Sequence, residues 1–392
     1  MTDTTHNSKH VMHTLKKEIM TEQALEQALS YTDLTENTDS KIGKHAIKSL
    51  LDDLITSLAS LPANPVPCTQ IIRLSPITSV ANNFDRLKFP IDNPGRSSTY
   101  TRYVTEDTVL RAHVTAMVPP SLDSLSKEQP NDALLVFPGL AYRRDVSDKT
   151  HSGVFHQVDI WRITKGKKYT RTDLMQLVNL IFNTLMPGYE PIVYEADHPY
   201  TLDGIEVYVD AGGQMIEILE AGLAHPEVLK ESGLNPEEYT GLALGAGLDR
   251  ILMVRKQLPD IRLIRAKDER IQKQMTNLES YTSVSSMPPI SRDISYSTMN
   301  DYSEEDVSES IRLALGDEVN LLEEVKILNQ TSYNDLPDIA KERLGIEPSQ
   351  KNVLVRVVLR SLDQTLTKEY ANNLLDKVYI QINQGKGGYL NT

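Results

Sequence analysis

The chain has 392 residues, too many for one compact core and enough for two or three domains. It carries 41 Lys and Arg against 54 Asp and Glu, a formal charge of −13, which opposes sequence-blind binding to nucleic acid but leaves room for a shaped complex on a local basic patch. Its one cysteine, Cys68, excludes an internal disulfide and a cysteine-cluster metal site, and no apolar run reaches the roughly 20 residues of a membrane span.

In chain order, residues 1–40 are polar, lack sustained periodicity and read as a flexible extension. Their first twenty positions hold no apolar signal core and no arginine, so the cytoplasm is the expected compartment. From Lys44 to Leu58, Ile47, Leu50, Leu51, Leu54, Ile55 and Leu58 form one helical stripe, stopped by LPANPVP at 61–67. Residues 82–104 read as loop, with strands near 108–117 and 133–137. The stretch AYRRDVSDKTHSGVFHQVDIW (141–161) reads as strand, loop, strand. Arg143 projects from the first strand, and Phe155, Gln157 and Asp159 share one face of the second.

TRTDLMQLVNLIFNTLMPGY (170–189) opens on capping residues and closes at Pro-Gly, the marks of a helix. EPIVYEA, GIEVYVDAGG and QMIEILEAG read as antiparallel strands, the last two joined by a Gly-Gly hairpin. TGLALGAGLDRILMVRKQL reads as a glycine-rich strand entering a helix, and 274–289 as a polar linker. Beyond it, strand RDISYSTM, a helix capped by Ser303, strand VLVRVVLRSL and helix TKEYANNLLDKVYIQI make two strand–helix units that fit a small split βαβ domain.

Three patches carry the chemistry. The 141–161 stretch supplies Arg143 beside an aromatic ring and a carboxylate, which suits a nucleotide triphosphate next to an amine-bearing substrate. QMIEILEAG supplies Glu217 in an apolar strand, and GLALGAGLDRI supplies Arg250 just inside a helix. Each alone is weak: a strand arginine is more often a surface ion pair, Glu217 could simply face solvent, and GAG before a helix is usually packing without dinucleotide-fingerprint spacing.

In this order the patches resemble motifs 2 and 3 of class II aminoacyl-tRNA synthetases, and among these the phenylalanyl-tRNA synthetases. The likeness also takes in NNFDRLKFPIDNPGR, LRAHVTA and EILEAGLAHPEVL, and PPISRDISY onward resembles that family's ferredoxin-like anticodon-binding domain. Both domains on one chain is the layout of the single-chain, mitochondrial-type enzymes. The resemblance implies an α+β fold: an antiparallel sheet flanked by helices, followed by a small ferredoxin-like α+β domain. The expected organisation is an extension over 1–40, a catalytic domain over 41–273, a linker over 274–289 and an anticodon-binding domain over 290–392. It implies ATP-dependent activation of phenylalanine and transfer to tRNA, with ATP and Mg²⁺ as cofactors, no membrane partner and no assigned oligomeric state.

By the same resemblance Arg143 clamps the α-phosphate, Phe155 stacks on adenine, Arg250 holds the γ-phosphate, His151 contacts ATP and Glu217 helps hold Mg²⁺, a hard cation suited to a carboxylate. His113, Thr115, Gln157 and Asp159 orient the amino acid, with Asp159 facing its ammonium. His198, Tyr200, Glu220 and Ala243 fall at the side-chain pocket.

That pocket departs from the family. Where the family has Phe-Pro-Phe-Thr, this chain has His198, Pro199, Tyr200 and Thr201; Glu220 stands at a usual glycine, Thr115 at a serine, Asp159 at a glutamate and Val118 at a glutamine. Ala243 is retained. The departures read as drift with phenylalanine still bound, as a paralogue taking a polar or basic amino acid or a non-tRNA acceptor, or as a catalytically silent RNA-binding or regulatory protein. The retained Arg143, Phe155, Glu217 and Arg250 speak against silence. The C-terminal domain carries 11 basic against 17 acidic residues, which weakens the expectation of a general tRNA grip.

Overall fold

Thr21 starts the first helix, its hydroxyl accepting from the Ala24 N–H at 3.2 Å, and Ala24 and Ala28 are buried along Glu22–Leu29 (α1). The structure, a computed structural model, describes residues 18–36, 43–61, 68–144, 149–284, 287–362 and 364–387. Residues 18–36, expected to fray, are thus folded: the Leu34 N–H reaches the ring of His156, and Arg73 holds Thr35 and Asp33. Polarity misled the reading because a few apolar residues suffice beside these hydrogen bonds: Ala28, with Met20, Leu25 and Tyr31, packs against Leu110, Leu140, Tyr142 and Val154.

The predicted stripe forms Ala46–Leu58 (α2), while the proposed stop at 62–67 lies outside the described residues. Short strands Cys68–Ile71 (β1) and Ile77–Ser79 (β2) lead to one turn of helix, Val80–Asn83 (α3). The strand expected at 108–117 is only Thr108–Leu110 (β3), paired with β2. After it Val114–Met117 tightens into a 3₁₀ turn that buries Val114 and Met117, and Val118–Glu128 (α4) follows, with prolines in its first turn where no amide partner is needed. Asp132–Tyr142 (β4) and Val154–Lys165 (β5) then form the predicted strand pair, with Arg143 immediately past the end of β4.

Helix Arg171–Leu185 (α5) is followed by Ile192–Glu195 (β6), Thr201–Asp210 (β7) and Met215–Ala224 (β8), with Gly212 and Gly213 at positive φ in the hairpin between β7 and β8. Helix Pro226–Glu231 (α6) leads to Tyr239–Gly247 (β9), which runs directly into Leu248–Lys256 (α7), and Glu269–Gln274 (α8) ends this unit. The main sheet has seven strands in the order β1-β4-β5-β9-β8-β7-β6, antiparallel except for the parallel β1–β4 edge. On one face α2, α5 and α7 cover Leu134, Val136, Val158 and Ile160; on the other α4 and α6 cover Leu135, Phe137, Trp161 and Ala243. Alternation along β4 and β5 sends successive residues to these two cores.

The linker expected at 274–289 is not free over 275–284. Met275 belongs to the core, Leu278, Tyr281 and Val284 pack against it, and the Lys256 ammonium donates to the carbonyls of Asn277 and Glu279 at 3.1 and 2.7 Å. Ile290–Met299 (β10), Glu304–Leu315 (α9), Leu322–Ser332 (β11), Asp338–Leu344 (α10), Gln350–Leu359 (β12) and Lys368–Ile382 (α11) form a second unit with its own apolar core. Strand β12 lies between β10 and β11, antiparallel to both, which is the split arrangement expected. The reading missed β11 and α10, whose exposed positions blur the apolar period.

Candidate active site

The register of four strands lines up the polar residues in one row. Asp159 on β5 pairs with Gly245 on β9, Gly245 with Glu220 on β8, and Glu220 with Glu206 on β7. Gly245 makes this crowding possible: a Cβ there would lie 3.0 Å from Asp159 Oδ1 and 3.4 Å from Glu220 Oε1. The next row holds Trp161 against Ala243 and Ala243 against Gly222.

Glu217 joins Glu220 on this face through a bulge. Val207 pairs with Leu219 but Tyr208 pairs with Glu217, so Ile218 is skipped. Ile218 and Leu219 both enter the core, and the two glutamates, three positions apart, line the same cavity.

That cavity has a volume of about 240 Å³ and brings together Arg143, Phe155, Gln157, Glu217, Glu220 and Arg250, with His151 exposed at its rim. Arg143 is fixed by its Nε donating to the Ala112 carbonyl at 2.8 Å, and its guanidinium lies 5.1 Å from the centre of the Phe155 ring. Arg250 Nη1 donates to Glu217 Oε2 at 3.3 Å. Burial lifts the Glu217 carboxyl above its usual range, the charge of Glu220 adds to this, and Arg250 only partly offsets it.

Beneath the cavity lies a tighter layer. Asp159 is buried, and burial first, with the charge of Glu220, pushes its pKa up to about 8 despite a hydrogen bond from Thr115. His113 stacks on Phe89 at 5.5 Å and is held neutral, its pKa pushed down to about 3 by burial and then by the charge of Arg143. Gln157 is anchored where its Oε1 accepts from the Val114 N–H at 3.3 Å. Tyr200 donates its hydroxyl to Glu220 Oε1 at 2.6 Å, and His198 Nε2 lies 3.4 Å from Glu220 Oε2. The space between Asp159, Trp161, Tyr200 and Ala243 is too tight to admit a water molecule.

Every sequence-predicted residue therefore falls in the cavity or the layer under it. The sequence reading missed Glu206 and Trp161, which only register places here, and it missed Asp249. The Asp249 carboxylate accepts from both the backbone N–H and Nδ1 of His156, the latter at 2.8 Å. It thereby ties the strand between Phe155 and Gln157 to the helix start that carries Arg250. The ring Nε2 accepts from the Leu34 N–H at 3.0 Å and faces Arg265. Asp249 stands directly before Arg250, a proximity that is the only signal for it in the sequence.

Residues 32–275 match the family described as tRNA synthetases class II core domain (F). The chain belongs to that family. A phenylalanine--tRNA ligase alpha subunit from Nostoc sp. (strain PCC 7120) is 38% identical over 193 residues, 49% of this chain and 56% of the relative. The chain thus spans about half the length of such curated relatives. A chloroplastic/mitochondrial phenylalanine--tRNA ligase of Arabidopsis thaliana is 31% identical over 318 residues, 78% of this chain and 69% of that one. A solved pyrrolysyl-tRNA synthetase from Desulfitobacterium hafniense superposes at a TM-score of 0.44 with 15% identity, over 56% of this chain and 73% of that chain, a likeness too slight to argue from.

Membership in the class II family fits the sheet and its loop-borne arginine. Among the described residues no helix is long and apolar enough to cross a membrane. Nor does any group of three or more His, Cys, Asp or Glu side chains among them form a metal cage. A single carboxylate such as Glu217 suits Mg²⁺ of the kind that stays bound mainly to phosphates and water.

Proposed function

We propose that this protein is a phenylalanyl-tRNA synthetase-like ligase that activates an amino acid with ATP and passes it to tRNA. The observation that carries the reading is the single cavity holding Arg143, Phe155, Glu217 and Arg250 beside Gln157 and Glu220. Arg143 neutralises charge at the α-phosphate while the amino acid's carboxylate attacks there and pyrophosphate leaves in line. Phe155 stacks on adenine, Arg250 meets the γ-phosphate, and His151 contacts the nucleotide from the rim. Glu217, lifted by burial, would hold Mg²⁺, which supplies further neutralisation of the phosphates. His113, Thr115 and Gln157 orient the amino acid, and Asp159 takes its ammonium. Residues 290–392 serve as the anticodon-binding domain and 41–273 as the catalytic domain. The compartment in this proposal is the cytoplasm, although the Arabidopsis relative is chloroplastic/mitochondrial.

The relatives make phenylalanine the first amino acid to test. A second reading, the same chemistry on a different amino acid, is favoured by Glu220, whose carboxylate lies where a phenyl pocket is apolar. The test is ATP–pyrophosphate exchange with each amino acid in turn, in the intact protein and in Arg143→Ala and Arg250→Ala. Exchange should depend on one amino acid and fall roughly 10²–10³-fold in either variant, the cost of a lost transition-state charge contact. Normal exchange in both variants would sink the assignment.

A further inference from the structure

Three carboxylates occupy one transverse row of the main sheet: Asp159, Glu220 and Glu206, with Gly245 as the gap between the first two. Like charges directly opposite one another on neighbouring strands are destabilising, and Glu206 and Glu220 are such a pair. Each is approached by a neutral donor, Tyr208 at 2.8 Å and Tyr200 at 2.6 Å, while the arginines of the same cavity are engaged elsewhere, Arg250 by Glu217 and Arg143 by the Ala112 carbonyl.

A second observation points to a ligand. The His198 side chain is nine-tenths buried and aimed between the pair, with Nε2 3.4 Å from Glu220 and 3.9 Å from Glu206, yet Nε2 has no hydrogen-bond partner. A buried donor or acceptor left unmade costs free energy, so the cluster is incomplete as it stands. Four adjacent strands at about 4.8 Å spacing stretch the row to about 14 Å between its ends. That length suits an elongated molecule with positive charge at two places and not one metal ion.

We infer that the amino acid taken at this site is dibasic, its α-ammonium at the Asp159 end of the row and its cationic side chain received by Glu220 and Glu206. This rests on the adenylate-forming reading given above. An uncharged side chain would leave these partly exposed carboxylates facing each other with no cation between them, which is unfavourable for like charges on neighbouring strands.

The test is pyrophosphate exchange by the full chain with lysine, ornithine and arginine, against phenylalanine and against norleucine, which has lysine's shape without its amine. One basic amino acid should exceed both neutral ones by about 100-fold or more in kcat/KM. Glu220→Gln and Glu206→Gln should each cut the preference for the basic amino acid over norleucine about tenfold. Phenylalanine or norleucine serving as well as the basic amino acids overturns the inference and leaves the adenylate chemistry standing. An equal loss for every amino acid in Glu220→Gln also overturns it, since Glu220 would then read only the shared α-ammonium. No exchange with any amino acid removes the adenylate reading and this inference with it. Should the glutamine variants fail to fold, the lysine–norleucine comparison on the unaltered protein decides alone.

Discussion

Asp159 is a carboxyl whose folded-state pKa, about 8, lies well above its ordinary value of 3.8, with burial as the main cause. A folded pKa above the unfolded one means the protonated form belongs to the fold. The associated stability is fully present below about pH 4 and is lost as pH rises toward 8, by at most roughly 1.4 kcal/mol for each step of one in pH. Asp159→Asn keeps the shape and removes the titration. Urea unfolding at pH 5 and pH 8.5 should therefore show the parent losing a few kcal/mol more than the variant over that interval. Parallel losses would mean that Asp159 ionises freely in the folded protein. A ligand ammonium at Asp159 should reverse the sign, because it favours the charged carboxylate.

At the scale of elements, the helices keep the sheet's back face dry and so hold the site's strands in register. Helix α5 begins with a capping box: Thr170 Oγ1 accepts from the Asp173 N–H, and the Asp173 carboxylate accepts from the Thr170 N–H at 2.9 Å. Hydrogen bonds from Lys167 and Thr170 hold the Asp173 carboxyl down at about 2. Thr170→Ala should destabilise the protein by about 1 kcal/mol with no change in exchange kinetics, since the helix end is remote from the cavity. Chemical denaturation beside pyrophosphate exchange checks both halves, and a changed kcat would show that α5 reaches the site. The bulge at Ile218 matters more for function. Without the skipped residue, Glu217 and Glu220 would point to opposite faces of β8.

At the scale of the molecule, the two units have separate apolar cores and, apart from Leu362 packing on the first core, the contacts between them include a set of ion pairs. Arg102 and Glu309 pair at 2.9 Å with both side chains buried, Arg144 meets Asp306 at 3.1 Å, and Lys149 and Arg262 meet Glu323 at 3.0 and 3.6 Å. Three of the C-terminal acids thus face the first unit, so composition overstates how acidic the second unit's solvent face is. A joint rich in ion pairs hydrates more readily when one side is removed than a split apolar core does. A chain ending near residue 286 should therefore fold and retain amino-acid activation, but transfer to tRNA should fall. Equal transfer by the short and full chains would show that residues 290–392 do not grip tRNA. Aggregation of the short chain would show that the joint carries more of the stability than its charges suggest.

Much of this was written in the order of the residues. Periodicity along Ile47–Leu58, the cap at Thr170, the Gly-Gly hairpin and the glycine-rich entry to Arg250 are local signals, carried by side chains within a turn or two of each other. They determined the helices, most of the strands and, through the resemblance they support, the residues around the cavity proposed to take ATP. Tertiary structure decided what depends on pairing between strands distant in sequence. Only register sets Asp159, Glu220 and Glu206 in one row, and only a bulge turns Glu217 to join Glu220. Residues 18–36 were misread for the same reason: their hydrogen-bond partners, His156, Arg73 and Arg265, and the apolar side chains that Ala28 and Leu25 meet lie far along the chain, so the segment looks locally like one held by nothing.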